Sequence, residues 1–275
     1  MNKETDTRST PNDWQELREA KPNWQIDPPA DLLAGKVILI TGAGDGIGRV
    51  AAKTFAHYGA NVVLLGRTRE KLEAVFDEIS EATSTEPVIV PADLRFLADD
   101  NAMALADSIQ DAFGHLDGLL HNASVLGSML PLAHYPKTTW EEVFQVNVHA
   151  QVLLTRHMQP LLDLSEAATV VFTSSGVGRE GRAYWGAYSA SKFATEGIMQ
   201  ILADETETAG RIKVNSVNPG GTRTPMRAAA YPAEDPATLP IAEAHMDLYL
   251  YLFSHLGRSH HGEALDARNW APVQH

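Results

Sequence analysis

The sequence predicts an α/β fold: a doubly wound, mainly parallel sheet of about seven strands with helices on both faces, in a single domain. Short apolar runs alternate with amphipathic stretches along most of the 275 residues, which is typical of repeated β-α units. A glycine-rich turn at residues 41–48 joins the first apolar run to a helical pattern. Right-handed crossovers in such a sheet place the ligand crevice at the carboxyl ends of the strands.

The individual elements follow from the apolar runs and from the glycines, prolines and polar residues between them. We predict strands at residues 36–41, 61–66, 87–91, 118–122, 169–173, 213–218 and 263–266. We predict helices at residues 46–58, 69–81, 99–113, 139–162, 184–209 and 241–255. Residues 1–33 are predicted to form an N-terminal extension, an arm or short helix packed on the domain of residues 34–275. Residues 228–240, with Pro232 and Pro236, are predicted to form an irregular loop or lid.

Composition excludes several classes of function. The chain has no cysteine, which rules out disulfides, thiolate catalysis and cysteine-bound zinc and favours a cytoplasmic location. A net charge of -13 argues against broad binding of nucleic acid or anionic membranes. Because no run of about 18 apolar residues occurs and the first 20 residues are polar, we expect neither a membrane span nor export. Eleven histidines occur without His-Glu-x-x-His, so no metal is predicted.

The glycine-rich turn is predicted to bind a dinucleotide. Glycines allow a sharp turn and a close approach to a pyrophosphate, and the following helix offers free amides at its positive end. A phosphate loop of the NTPase kind is excluded because no Gly-Lys-Ser/Thr follows. A tight strand-helix turn without a ligand is the alternative. The predicted contacts here are Thr41, Gly42, Gly44, Asp45, Gly46, Ile47 and Gly48.

The end of the second strand favours NADP(H) over NAD(H). An acidic residue at this place would accept hydrogen bonds from a free ribose 2'-hydroxyl, but the strand ends in Gly66 and Arg67. A guanidinium at that place fits a 2'-phosphate as a charged fork. Two observations keep NAD(H) as the alternative: Arg67 and Arg69 also fit a solvated helix start, and Asp45 adds negative charge to the glycine turn.

Polar residues after the third, fourth and fifth strands lie along the same predicted crevice. Asp93 with Leu94 and Asn122 with Ala123 are candidate cofactor contacts, although Asp and Asn also serve as helix caps and turn residues. Tyr188 and Lys192 stand four residues apart on a predicted helix, so that an ammonium lies beside a phenol and favours its ionised form. Tyr188 is therefore a candidate acid or base. A nucleophile elbow Gly-x-Ser-x-Gly is missing at Ser174 and Ser175, which disfavours a serine hydrolase.

Taken together, these motifs resemble the classical short-chain dehydrogenases/reductases over about residues 34–268. The shared motifs are Thr41-Gly-x-x-x-Gly46-x-Gly48, Asp93, Asn122-Ala123, Asn147, Ser175, Tyr188-x-x-x-Lys192, Asn218-Pro219-Gly220 and Thr224. Longer runs, among them residues 173–179 and 185–196, resemble the bacterial YciK-type oxidoreductases more closely. The resemblance implies a Rossmann-like fold and hydride transfer between a nicotinamide cofactor and a carbonyl or secondary alcohol. An NAD-linked alcohol dehydrogenase and a dinucleotide-binding regulatory protein without turnover are the alternatives.

The resemblance also implies residue roles. Tyr188 would donate a proton to the substrate oxygen or remove it, with its pKa lowered by Lys192 and the oxidised nicotinamide. Lys192 would also hold the nicotinamide ribose, and Ser175 would bind the substrate oxygen. Asn147 would hold a water that connects Lys192 to solvent. Further contacts to the nicotinamide and phosphates are expected from Pro219, Gly220, Thr222 and Thr224.

Other expectations concern the surroundings of this site. Ser124 replaces the glycine that many relatives carry and would be strained at positive φ, whereas His121 is expected to pack at a strand end without a chemical role. Arg179 and Arg182 are candidates to attract an anionic substrate group or to be solvated. The family also implies a homodimer or homotetramer packed through residues 139–162 and 184–209. The expected substrate-pocket walls are Leu126, Met129, Tyr184, Trp185 and Met226.

Overall fold

The structure, a computed structural model, describes residues 24–272, so residues 1–23 of the predicted extension lie outside the described part. The described end of that extension packs on the domain. The indole Nε1 of Trp24 donates to the carbonyl of Glu243 at 2.9 Å, and the amide of Gln25 donates to Asp247 Oδ2 at 2.8 Å. Leu33 is fully buried.

The described residues form one seven-stranded parallel sheet in the order β3-β2-β1-β4-β5-β6-β7. The strands are β1 Val37–Thr41, β2 Asn61–Gly66, β3 Val88–Pro91, β4 Gly118–His121, β5 Ala168–Thr173, β6 Ile212–Asn218 and β7 Glu263–Asp266. The predicted doubly wound α/β fold is confirmed. The central strands β1, β4 and β5 are buried along their whole length, because helices cover both faces of the sheet.

Helices on the two faces build two apolar layers. The helices are α1 Gly46–His57, α2 Arg69–Ala82, α3 Asp99–Phe113, α4 Lys137–Phe144, α5 Ala150–Asp163, α6 Gly186–Glu207, α7 Pro225–Ala230 and α8 Met246–Phe253. Successive side chains of β1 alternate between the layers: Ile38 and Ile40 pack with Phe55 of α1 and Phe253 of α8. Leu39 packs in the opposite layer, which contains residues of α3, α5 and α6. No helix in residues 24–272 is long and apolar enough to cross a membrane.

Three predicted elements differ from the structure. The predicted helix 139–162 begins at Lys137 and is interrupted by a π-helical turn, Gln145–His149, which separates α4 from α5. The first residues of the predicted irregular loop 228–240 belong to the end of α7. This helix starts after Thr224, whose side chain caps it by accepting from the amide of Arg227 at 3.2 Å. The start of the predicted helix 241–255 is a 3-10 turn, Ala242–His245.

Candidate active site

The carboxyl ends of β1 to β6 border a cavity of about 430 Å³. Most of the predicted site residues line it, whereas Thr41, Gly48 and Asn147 do not. The predicted residues that line the cavity are Gly42, Gly44, Asp45, Gly46, Ile47, Arg67, Asp93, Leu94, Asn122, Ala123, Ser175, Tyr188, Lys192, Pro219, Gly220, Thr222 and Thr224. The strand order therefore brings together motifs that lie far apart in the sequence.

The glycine turn packs too tightly for side chains. Gly42 has a φ of +71°, and a Cβ there would lie 3.0 Å from the Cα of Ala123. A Cβ on Gly48 would lie 2.3 Å from the carbonyl oxygen of Gly42, so α1 starts directly against the turn. Thr41 ties the ends of β1 and β4 together, because its Oγ1 accepts from the amides of Asn122 at 2.9 Å and Ala123 at 3.0 Å. Thr41 and Gly48 thus shape the cavity without lining it.

One end of the cavity carries Arg67 and Lys71, on either side of the start of α2. Lys71 forms an ion pair with Asp45, which also caps α1 by accepting from the amide of Gly46 at 2.8 Å. Burial opposes ionisation of Asp45, but the hydrogen bonds from Lys71 and Gly46 outweigh it and lower the pKa of this carboxyl. The negative charge that argued against NADP(H) is therefore offset by a lysine that the sequence analysis missed. Lys71 follows Arg67 by only four residues in the sequence, and this closeness to a predicted cofactor contact could have identified it.

A second ion pair lies at the same end, after β3. The guanidinium of Arg95 holds both carboxylate oxygens of Asp93, with Nε at 3.1 Å from Oδ1 and 3.0 Å from Oδ2. These hydrogen bonds hold the pKa of Asp93 below its ordinary value. Arg95 lines the cavity and was also missed, whereas the predicted cofactor contact of Asp93 stays a prediction.

The other end of the cavity is buried and holds Tyr188 and Lys192, one turn apart on α6. The Nζ of Lys192 donates to the carbonyl of Thr173 at 2.8 Å and lies 5.6 Å from the centroid of the Tyr188 ring. Ser175 follows β5 and lines the same end. The three residue types predicted for hydride transfer therefore meet in one place.

Burial dominates the protonation of this pair in the chain alone. It raises the pKa of Tyr188 to about 12, against a lowering by the hydrogen bond with Ser175. Burial also lowers the pKa of Lys192 to about 8, against a raising by the carboxylate of Glu196. The pKa of Tyr188 is thus raised in this structure, whereas the resemblance implied a lowering by Lys192 and the oxidised nicotinamide.

Asn147 is buried in the π-helical turn, and its side chain makes three hydrogen bonds. Its Oδ1 accepts from the amide of Val125 at 2.8 Å, and its Nδ2 donates to the Val125 carbonyl and to Ser191 Oγ, both at 3.0 Å. The amide group thus fastens the loop after β4 to α6, beside Lys192. The water-holding role of Asn147 stays a prediction.

The C-terminal side of the cavity is closed by the turn after β6 and by α7. Gly220 has a φ of +71°, and the Oγ1 of Thr222 lies 3.0 Å from Nε2 of His245. Arg227 on α7 lines the cavity and forms a bidentate ion pair with Glu234, both bonds being 2.6 Å long. Its guanidinium carbon also lies 3.8 Å from the centroid of the Tyr231 ring. The segment after β6 therefore covers this side of the cavity, and the contacts of Arg227 hold it together.

Aromatic rings continue from this cover to the buried end of the cavity that holds Tyr188 and Lys192, the reactive end. The rings of Tyr231 and Trp185 are 5.8 Å apart, and those of Trp185 and Tyr188 are 5.6 Å apart. Among the expected wall residues, Leu126, Trp185 and Met226 line the cavity, whereas Met129 and Tyr184 do not. Tyr184 is instead 57% exposed and is the one non-glycine residue with positive φ, 73°, within residues 24–272.

Two arginines expected near the substrate lie elsewhere. Neither Arg179 nor Arg182 lines the cavity. The Nε of Arg179 donates to Glu196 at 3.1 Å, and its Nη2 donates to the carbonyl of Leu265 at 3.0 Å. The structure does not support capture of a substrate anion by Arg179, because this side chain donates to Glu196 and Leu265 outside the cavity.

His121 and Ser124 are accommodated without strain. His121 is buried, stacks on Phe172 with ring centroids 4.7 Å apart, and lies 2.9 Å from Thr155 Oγ1. Burial lowers the pKa of His121 to about 3, which keeps the imidazole neutral. Ser124 does not have positive φ, so the strain expected from its replacement of glycine does not arise.

Comparisons with known proteins agree with this geometry. The family model described as short chain dehydrogenase matches residues 36–235. The oxidoreductase YciK of Escherichia coli K12 is 50% identical over 241 residues, covering 88% of this chain and 95% of YciK. NADPH-dependent aldehyde reductase 1 of Arabidopsis thaliana is 32% identical over 75% of this chain and 72% of its own length.

Solved structures give the same result. A short chain dehydrogenase from Shigella flexneri, complexed with NADP, is 50% identical with a TM-score of 0.85 over 87% of this chain and 100% of its own. A second, from Escherichia coli CFT073 and complexed with NADPH, has the same identity and TM-score over 88% of this chain and 100% of its own. The chain therefore belongs to the short-chain dehydrogenase/reductase family of oxidoreductases.

Proposed function

We propose that this oxidoreductase uses NADP(H) to transfer a hydride between the nicotinamide and a carbonyl or secondary alcohol substrate, with Tyr188 as the general acid or base. The half-identical neighbours solved with NADP and NADPH support the choice of cofactor. The end of β2 supports it independently, because Gly66 and Arg67 line the cavity where an acidic residue would bind a free ribose hydroxyl.

The residues of the cavity fit a dinucleotide. The glycine turn leaves no room for side chains where a pyrophosphate would approach, and the positive end of α1 begins there. Arg67 and Lys71 supply positive charge at the end of the cavity where the 2'-phosphate of NADP(H) would lie. Tyr188 and Lys192 supply the hydroxyl and ammonium groups at the opposite, buried end.

The bound nicotinamide would supply or accept the hydride. Tyr188 is protonated near neutral pH, since burial raises its pKa to about 12, and its phenol is therefore ready to donate a proton to a carbonyl oxygen. The Lys192 ammonium, whose Nζ lies 5.6 Å from the Tyr188 ring centroid, favours the phenolate left after that donation. The Ser175 hydroxyl would hold the substrate oxygen in place as negative charge develops.

The substrate is proposed to be a partly apolar aldehyde, ketone or secondary alcohol. Leu126, Trp185 and Met226 form apolar wall around the reactive end, while the polar groups cluster at Tyr188. A relative at 32% identity is named an NADPH-dependent aldehyde reductase, which agrees with this class of substrate. Arg227 lines the cavity with its charge already paired to Glu234, so an anionic substrate group is not required.

Calorimetric titration of the purified chain with NADPH and NADH tests the proposal first, because it needs no substrate. Clearly tighter NADPH binding, followed by oxidation of NADPH in a panel of apolar aldehydes and ketones, is the expected result. Tighter binding of NADH would favour the NAD-linked alcohol dehydrogenase. Binding without turnover of any panel member would favour a dinucleotide-binding regulatory protein.

We propose in addition that the chain forms a homodimer or homotetramer through α5 and α6. Val152 on α5 is 48% exposed, and Phe193 and Ile201 on α6 are 46% and 60% exposed. Exposed apolar side chains on two neighbouring helices are typical of a surface covered by another subunit. Light scattering coupled to size-exclusion chromatography would show a mass of two or four chains, and a purely monomeric mass would contradict the proposal.

A further inference from the structure

Glu196 is a buried carboxylate that the proposed chemistry does not use. It lies on α6 four residues after Lys192 and eight after Tyr188, so the three side chains follow one another along the same face of the helix. Glu196 is 7% exposed and Lys192 is 1% exposed. A carboxylate this deeply buried is retained only where other groups compensate its charge.

Two hydrogen-bond donors hold Glu196 in place. Arg179, in the turn after Ser175, donates from Nε to Oε1 at 3.1 Å, and Ser216 on β6 donates from Oγ to Oε2 at 2.6 Å. Arg179 is itself anchored by its bond to the carbonyl of Leu265 on β7. The carboxylate is therefore fixed by one charged and one neutral donor, with its helical neighbour Lys192 on the side of the cavity.

Few other charges face Lys192. On α6 its neighbours are the neutral phenol of Tyr188 and the carboxylate of Glu196. From β4 it faces His121, which is neutral because its pKa is lowered to about 3, mainly by burial. From β5 it meets the uncharged Thr173, whose carbonyl accepts from Nζ at 2.8 Å. Among the described residues, the negative charge that acts on the ammonium comes from Glu196. This carboxylate is itself paired with Arg179, at 3.1 Å.

We propose that Glu196, held by Arg179 and Ser216, is a positioning residue that keeps the buried Lys192 ammonium charged. Lys192 would otherwise lose its proton to the low-dielectric surroundings, and with it the charge that favours the Tyr188 phenolate. Arg179 holds the Glu196 carboxylate in place, but its own positive charge weakens the attraction of that carboxylate for the Lys192 ammonium. The Arg179–Glu196 pair therefore raises the pKa of Lys192 less than an unpaired carboxylate would. The inference deepens the proposed function, on which its catalytic consequence rests.

The test is the titration of Lys192 in the full-length chain, followed by NMR of isotope-labelled lysine and assigned by the signal lost in Lys192→Arg. Because the pKa of Lys192 is about 8, the titration lies in an accessible pH range. Glu196→Gln preserves the shape of the side chain but removes its charge, and we expect the midpoint of Lys192 to fall by about one pH unit. Arg179→Gln leaves the carboxylate uncompensated, and we expect the midpoint to rise.

Opposite movements in the two variants are the signature of the proposal, because a merely structural pair would lower stability in both without moving the midpoint in opposite directions. Ser216→Ala is the matched control, since it removes a hydrogen bond of Glu196 without changing any charge. The titration midpoint of Lys192 should move less in this control than in Glu196→Gln or Arg179→Gln. Movement in the same direction, or none, would overturn the proposal. If Glu196→Gln does not fold, the Arg179→Gln titration decides alone.

Turnover gives the second readout. If the chain reduces carbonyl compounds with NADPH, the alkaline limit of the rate should follow the Lys192 midpoint in each variant. If the wild-type chain binds no NADPH, the proposed function fails, whereas the titration of Lys192 still decides the role of Glu196. The two failures are therefore distinguishable.

Discussion

The two ends of the cavity handle charge in different ways. At the end near α2, the ion pair of Lys71 and Asp45 is half exposed, with 54% and 49% of the side-chain surface accessible. At the reactive end, Tyr188 and Lys192 are almost completely buried. Exposed pairs contribute little to stability and exchange partners easily, whereas burial shifts pKa values strongly. One end is suited to recognising a charged ligand, and the other to controlling a proton.

The largest expected effect is the loss of turnover in Tyr188→Phe, which distinguishes a role in proton donation from a role in cofactor binding. Tyr188→Phe removes the phenolic hydroxyl and keeps the buried ring beside Trp185. We expect the rate of carbonyl reduction to fall about a thousandfold, since the substrate oxygen loses its general acid, while NADPH affinity stays nearly unchanged. Steady-state kinetics and calorimetry on the same preparation measure both quantities, and unchanged turnover would remove Tyr188 from the mechanism.

Burial of Lys192 gives the reactive end a distinct pH dependence of stability. The pKa of Lys192 is about 8 in the folded chain against 10.5 as its ordinary value, so between these values the unfolded state binds more protons and stability rises with pH. The raised pKa of Tyr188 acts in the opposite direction only above about pH 10. Lys192 should therefore add about 2 kcal/mol to the free energy of unfolding between pH 8 and 10.

Lys192→Met isolates this contribution, because all other titrating groups are common to both chains. The difference in the free energy of unfolding between wild type and variant, measured by urea denaturation at several pH values, should change by the same amount over this interval. A constant difference from pH 8 to 10 would show that burial does not perturb Lys192.

At the exposed end, Arg67→Ala should weaken NADPH binding about tenfold to thirtyfold and leave NADH binding nearly unchanged, because only NADPH carries the 2'-phosphate. Arg69→Ala is the matched control: it removes an equal charge two residues away, but Arg69 pairs with Glu73 at 3.6 Å and does not line the cavity. Calorimetry on both variants measures the effect. Equal losses for NADPH and NADH would assign Arg67 to general electrostatics instead of phosphate recognition.

The sequence predicted the sheet and most residues of the cavity because these depend on local rules. Parallel strands buried on both faces appear as continuous apolar runs, and the turn needs glycine where Gly42 has positive φ and Gly48 meets the Gly42 carbonyl. The membership of Tyr188 and Lys192 in one site followed from helical spacing and from the resemblance.

Features that depend on distant partners were not predictable in this way. The engagement of Arg179 requires Glu196 and Leu265, which lie 17 and 86 residues away in the sequence. The pairing of Lys71 with Asp45 likewise joins α2 to the glycine turn. Asn147, in the π-helical turn, accepts a hydrogen bond from Val125, 22 residues away in the sequence. Charge patterns alone identified Arg67 and Arg179 as candidates without distinguishing the one that faces the cavity.

The smallest expected effect tests whether the exposed ion pair of Lys71 and Asp45 takes part in recognition of the 2'-phosphate. Lys71→Met removes one of the positive charges near the proposed phosphate site and should weaken NADPH binding about threefold, with a shallower dependence on salt. Asp45→Asn should act in the opposite direction, because it releases Lys71 from its ion pair and still caps α1 with an amide oxygen. Calorimetry at two salt concentrations distinguishes these outcomes. If both substitutions weaken NADPH binding, the Lys71–Asp45 pair orders the glycine turn, and its charges act through structure and not through attraction of the 2'-phosphate.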